Sequence, residues 1–190
     1  MSDEELRPWR VLSSAYRIET PFLRLRADKI ELPNGRIVDD YFVRESHGFS
    51  VVFALTREKS VVLVRQYKHG VAEIVTELPA GARDAGETAA ECASRELAEE
   101  TGYTGSAPEH VRMFLTDPTN SDSRFDVFLI RDAERTCEPE LDVTEEIDVV
   151  LASIDDVRTM AYDGRIAAGS QVASVLVALA YLERSGTGAG

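Results

Sequence analysis

The strongest pattern in the chain is a pair of nearly unbroken apolar runs, residues 50–56 and 60–67, separated by Arg57, Glu58 and Lys59. Runs of that length without polar alternation predict central strands covered on both faces. Nearer the N-terminus, residues 22–26 alternate apolar and polar positions, and Pro33, Asn34 and Gly35 predict a hairpin turn before a further strand over residues 37–43. Residues 9–43 are therefore expected to form a small sheet. Two more strands are predicted over residues 110–116 and 124–130, around a loop rich in Thr, Asn and Ser that contains Pro118, and another over 147–151. The helical period shows in three places. Thr88 and Glu91 make a capping-box signature and Gly102 a left-handed stop, which together predict a helix over residues 89–101. Its stripe of small and apolar positions is Ala90, Ala93, Ser94, Leu97 and Thr101, narrow enough to lie close against a sheet. Ser153 starts a short helix that stops near Gly164, and Ser170 starts another, amphipathic through Val172, Val175, Leu176, Leu179 and Leu182, that closes at Gly186.

Strand-rich halves around one loop and helix, finished by two helices, predict an α/β class, an α/β/α sandwich on a mixed sheet with a small N-terminal β-sheet. The expected boundaries are 1–47 for the N-terminal strands, 48–184 for the main domain and 185–190 for a disordered tail. At 190 residues the chain is long enough for a substantial core. The net charge of −13 argues against nucleic acid as a partner, because binding a phosphate backbone needs a basic surface. A small phosphate-bearing ligand would then have to be met by metal and by locally placed arginines. Cys92 and Cys137 show no metal-binding spacing, and Cys92 reads as a packing residue. The acidic first five residues are followed by no apolar stretch, so no signal peptide is expected. The longest apolar run, residues 172–182, is too short to span a bilayer. The expectation is a cytoplasmic protein with no membrane partner.

Against this background the acids of the first helix stand out. Glu96 and Glu100 are four apart and Glu96 and Glu99 three apart, so like charges are neighbours on the helix surface. Glu99 and Glu100 also occupy the last turn, the negative end of the helix dipole. A divalent cation reverses each of these unfavourable terms. Several hard carboxylate oxygens on one arc suit Mg²⁺ or Mn²⁺, with substrate phosphates and water completing the octahedron. Placed beside the stripe, the three glutamates are expected to project from the edge of the buried face.

Gly81, then Glu87 after five residues, then Arg95-Glu96-Leu97-Ala98-Glu99-Glu100-Thr101-Gly102-Tyr103 after seven, resembles the signature box of the Nudix hydrolases at every defined position. Tyr103 stands where an aliphatic residue is commoner. The resemblance implies hydrolysis of a nucleoside diphosphate linked to another moiety, with Mg²⁺ or Mn²⁺ held by Glu96, Glu99 and Glu100 and by the backbone carbonyl of Ala80. Arg65, Gln66 and Tyr67 at the end of a strand, with residues 77–81 leading into the box, resemble the branch that cleaves ADP-ribose and other nucleoside diphosphate sugars. Pro118, fifteen positions after Tyr103, is similar to the pattern of that branch, although the rest of its loop departs from it.

The resemblance implies site roles. Arg65, whose planar fork suits two phosphate oxygens, and Gln66 are expected to bind substrate, with Pro118 and with Trp9 as a base-stacking platform; Phe22 is a second such candidate. Arg95 is expected to hold Glu87 or Glu99 within the box. In relatives a glutamate of the loop before the last strand activates water. Glu145 and Glu146 are adjacent and point to opposite faces on entering a strand, so one of them can serve. Glu146, nearest the ordered strand, is the first choice, Glu145 the second and Glu99 the fallback. A homodimer using the N-terminal sheet is also implied. GDP-mannose or another nucleotide sugar stands as an alternative substrate, and a non-hydrolytic nucleotide sensor as an alternative class.

Overall fold

A computed structural model describes residues 6–186, which fall into two compact units. Of the expected tail, residues 187–190 lie outside the described residues, while Ser185 and Gly186 still belong to the last helix.

Among the described residues, the first unit comprises 6–46 together with 115–124. Its strands β1 (Arg10–Glu19), β2 (Arg24–Glu31) and β3 (Ile37–Glu45) form an antiparallel sheet in that order. The hairpin at Pro33 to Gly35 is as expected, with Gly35 at φ +80°. Phe22 is not in a strand. It sits 95% exposed in the turn before β2, where Thr20 Oγ1 accepts from the Leu23 N–H at 2.9 Å. The loop containing Pro118 joins this sheet through main-chain and side-chain hydrogen bonds: the Arg44 N–H donates to Asn120 O at 2.8 Å, and Asn120 Nδ2 donates to Phe42 O at 3.0 Å.

The second unit contains β4 (Phe49–Thr56), β5 (Ser60–Lys68), β6 (Glu73–Glu77), β7 (Ala80–Ala82), helix α1 (Ala89–Thr101), β8 (Tyr103–Thr104), β9 (Glu109–Leu115), β10 (Arg124–Arg135), β11 (Ile147–Ser153), α2 (Ile154–Asp163) and α3 (Gly169–Gly186). The sheet runs β11-β5-β4-β10-β8, and the parallel pairing of β10 with β4 makes it mixed. Helices cover both faces. Ala93 and Leu97 of α1 pack with Val52, Ala54, Val62, Phe128 and Ile130. On the other face Val157 of α2 and Val175 and Leu179 of α3 pack with Val51, Phe53, Val61, Leu63 and Leu129. The alternation of β4 and β5 divides their side chains between the two cores, which is why neither run shows a polar face.

β4 and β5 touch as a ladder only at Leu55 and Val61. Beyond that point they part: β6 continues beside β5 and β7 beside β4, so the chain crosses the gap at Leu78 and Pro79. Val52 N–H donates across it to Pro79 O at 2.9 Å.

Helix α1 begins and ends where its capping residues direct. Thr88 Oγ1 accepts from the Glu91 N–H at 3.2 Å, and a Glu91 carboxylate oxygen accepts from the Thr88 N–H at 2.9 Å. At the other end Gly102 takes φ +73°, and its carbonyl accepts from the N–H groups of Thr136 at 2.9 Å and Cys137 at 3.2 Å. A methyl group at Gly102 would overlap the Cys137 carbonyl as well as occupy left-handed backbone. Gly102→Ala is expected to destabilise the fold by about 1–3 kcal/mol, combining positive-φ strain with the clash. Urea unfolding measures this, and a parental midpoint would contradict the packing described.

Candidate functional site

The buried face of α1 is rotated from the expected stripe. Ser94 is exposed, and Glu96 and Glu100 lie within the buried face at 8% and 3% exposure instead of at its edge. The reason is what lies opposite. Gly81 has no side chain, and a methyl group there would overlap the Glu96 carboxylate, so the missing Cβ is the space Glu96 occupies. One residue back, the Ala80 N–H donates to Glu100 Oε2 at 3.0 Å. Two carboxylates therefore converge on the backbone of residues 80–81 at the gap between β4 and β5.

Arg95 holds the remaining acids. Its Nε and Nη2 donate to the two oxygens of Glu87 at 2.8 and 2.9 Å, and Nη1 donates to Glu96 at 2.7 Å and to Glu99 at 2.8 Å. Nη2 also donates to the Ala82 carbonyl at 2.9 Å. The guanidinium thus links the loop after β7 to three acids, and its own proton affinity is raised, chiefly by Glu87. Glu87 is pulled down to about 2, first by its hydrogen bonds from Arg95. Glu100 moves the other way. Burial pushes it up to about 8, against the Ala80 N–H bond that favours its charged form. Glu96 is also raised, mainly by burial, with Arg95 opposing.

Two further charges act here. Glu145, in the turn before β11 and accepting from the Asp142 N–H at 3.1 Å, raises both Glu96 and Glu100. Glu146 is exposed and is not among the groups that act on them, so the electrostatics favour Glu145, the second choice, over Glu146, the first. The cation that lowers Glu100 is Lys68, which also pairs with Glu77 at 3.4 Å. Arg65, expected beside the box, is displaced by strand parity. Val61 and Leu63 face α2 and α3 while Val62 faces α1, so Arg65 falls on the α2–α3 side and Gln66, buried, and Lys68 on the α1 side. No sequence signal singled out Lys68, because the parity of β5 was not assigned.

Trp9 and Pro118 belong to the first unit and come together there. With Arg7, Arg26, Tyr41 and Thr119 they line an open cleft of about 550 Å³. Trp9 meets Tyr41 edge-on at 5.5 Å between ring centroids.

Among the described residues, no three His, Cys, Asp or Glu side chains are already gathered at coordinating distance. Glu96 and Glu100 nonetheless suit a hard divalent cation. They are oxygen donors removed from bulk water, their charge is opposed by Arg95, Lys68 and one N–H, and Mg²⁺ is usually held by one or two carboxylates with substrate and water supplying the rest.

The displaced titration of Glu100 has a testable sign. A carboxyl whose folded pKa, about 8, lies above its unfolded value of 4.5 penalises the native state progressively as pH rises from 4.5 through 8. Metal-free protein is expected to lose stability over that window, and Glu100→Gln to be the more stable form at pH 8.5 with a flatter profile. Chemical unfolding in chelator at pH 5.5 and 8.5 checks this; parallel profiles for the two proteins would refute it.

Comparison with known proteins identifies the family. The model of the NUDIX domain matches residues 46–172, and that of the nucleoside diphosphate sugar hydrolase N-terminal domain matches residues 9–43. Among curated relatives, an ADP-ribose pyrophosphatase of Bacillus subtilis is 33% identical over 133 residues, covering 70% of this chain and 71% of that one. A methanol dehydrogenase activator of Bacillus methanolicus is 32% identical over 135 residues, covering 70% and 72%. A solved structure described as an ADP compounds hydrolase superimposes with a TM-score of 0.84 at 18% identity, over 96% of this chain and 98% of that one, and so shares the fold. No helix among the described residues is long and apolar enough to cross a membrane. With the family model covering most of the chain and Arg95, Glu96, Glu99 and Glu100 of the box seated together on α1, the protein is a member of the Nudix hydrolase family.

Proposed function

We propose that this Nudix hydrolase cleaves the diphosphate linkage of a nucleoside diphosphate sugar, ADP-ribose first, giving a nucleoside monophosphate and a sugar phosphate, with Mg²⁺ or Mn²⁺ as cofactor. The observation that carries the reading is the convergence of buried Glu96 and Glu100 on the backbone of Ala80 and Gly81. The name of the Bacillus subtilis relative favours ADP-ribose, and the N-terminal match favours a nucleotide-sugar substrate in general. GDP-mannose and other nucleotide sugars are the second reading.

Glu96, Glu100 and the Ala80 carbonyl would hold the cation, with Glu99 joining after exchange of its Arg95 contact. The bound ion would neutralise charge on the diphosphate oxygens as the bond to the leaving phosphate breaks. Arg95 keeps Glu87, Glu96 and Glu99 in place and so acts through the acids. Lys68, on the same face of β5 as Gln66, is the cation that meets negative charge from the sheet side. Glu145 takes the proton of the attacking water, because it approaches the box acids without sharing their hydrogen bonds. Trp9 and Pro118 are assigned to the nucleobase, Gln66 to the diphosphate. Arg65 keeps a substrate role only at its place on the α2–α3 side. The functional form is proposed to be a homodimer in the cytoplasm.

Phosphate released from ADP-ribose, GDP-mannose and related nucleotide sugars, measured by phosphatase coupling with Mg²⁺ present, tests the substrate. ADP-ribose is expected to give the highest kcat/KM; binding of nucleotides with no release from any of them would make the protein a sensor. Glu96→Gln and Glu100→Gln are each expected to lower kcat by about 10²-fold or more while circular dichroism stays parental. Normal turnover in both at saturating Mg²⁺ would remove the metal assignment.

The two acids before β11 give a separate expectation. Glu145→Gln should lower kcat by about 10²–10⁴-fold with Mn²⁺ affinity little changed, and Glu146→Gln should remain near parental. The reverse order would restore Glu146, and two near-parental variants would pass the base role to Glu99.

A further inference from the structure

Leu78 and Pro79 of the bend at residues 78–80 are buried in the gap between β4 and β5, where neither strand supplies partners for the main chain of Leu78. A buried backbone N–H or C=O without a partner has given up water and gained nothing in return. Both groups of Leu78 are satisfied by one side chain. Gln171, in the first turn of α3 and only 4% exposed, accepts from the Leu78 N–H through Oε1 at 3.0 Å and donates from Nε2 to the Leu78 carbonyl at 3.4 Å. Its amide takes the place of a neighbouring strand. Two residues further on, the Ala80 N–H carries Glu100 and Gly81 faces Glu96.

We propose that Gln171 is a positioning residue for the candidate metal site: by clamping Leu78 from α3 it fixes the bend on which Glu100 is seated. The proposal rests on the reading of Ala80, Glu96 and Glu100 as the cation-binding group. Gln171 touches neither substrate nor the acids and acts only through the main chain of residues 78–80. The amide is specific in this role. Asn is a methylene too short, and a methionine fills the volume without donor or acceptor. Glu keeps the acceptor for the Leu78 N–H but, ionised, loses the donor.

The test compares parental protein, Gln171→Met, Glu100→Gln and Leu179→Ala, the last a core truncation on α3 that lowers stability without touching the bend. In metal-free protein, amide exchange at Leu78 and Ala80 is expected to quicken by about tenfold or more in Gln171→Met, with the interior of α1 unchanged. Mn²⁺ titration followed by electron paramagnetic resonance is expected to show affinity weakened by about 10–100-fold. The kcat is expected to fall with KM for the nucleotide sugar near parental, whereas Leu179→Ala changes neither Mn²⁺ affinity nor kcat. Faster exchange at Leu78 alone, with Ala80 exchange and Mn²⁺ affinity parental, would overturn the proposal and leave Gln171 as a partner for Leu78 only. If the parental protein binds Mn²⁺ no better than Glu100→Gln, the metal reading itself fails and the proposal falls with it. Should Gln171→Met not accumulate as folded protein, Gln171→Glu is expected to shift Ala80 exchange and Mn²⁺ affinity in the same direction by less; parental values for both would again overturn the proposal.

Discussion

Two carboxylates inside a protein need opposing charge or directed dipoles, since desolvation alone would force them neutral. In this chain one guanidinium, one backbone N–H and Lys68 oppose burial without cancelling it, and both Glu96 and Glu100 stay raised. Arg95 spans Glu87, Glu96, Glu99 and the Ala82 carbonyl, while Ala80 serves Glu100. The geometry of the loop after β7 and of the buried face of α1 both follow from that pairing. Gly81 has to be bare for Glu96 to fit, and Glu100 has to face inward to meet the Ala80 N–H.

The sheet contributes by being incomplete. Central strands normally satisfy each other, and β4 and β5 do so only at Leu55 and Val61. Their divergence opens a slot through which the chain passes from β6 to β7, and the slot brings main-chain donors to a depth where a helix can present acids to them. Irregular backbone at such depth is tolerated only when each polar group finds a partner. Val52 and Gln171 supply them.

Much of this was legible from local pattern. The capping box, the Gly102 stop and the apolar runs are short-range signals, and the structure has α1, β4, β5, α2 and α3 where they point. What escaped depends on contacts distant in sequence. Gln171 meets Leu78 across 93 positions, and the loop of Pro118 joins the N-terminal sheet across 76–78 positions, so neither leaves a periodic trace. The orientation of α1 was misread for a related reason. Small residues marked Ala90 and Ser94 as the packed side, but the side was decided by Gly81 and Ala80, which a helical wheel does not include. Arg65 and Lys68 were separable only once the parity of β5 against the two cores was fixed.

The closure of α1 at its C-terminal end is made by main chain. The N–H groups of Thr136 and Cys137 reach Gly102, and that of Glu140 reaches the Glu99 carbonyl at 2.9 Å. The negative end of the helix is therefore neutralised without a basic side chain in its last turn. Because the peptide unit is common to every residue except proline as donor, the side chains of residues 136–140 carry little of this task. That segment can drift in sequence between descendants of the same fold while the acids of α1 stay in register, provided its length and path are kept.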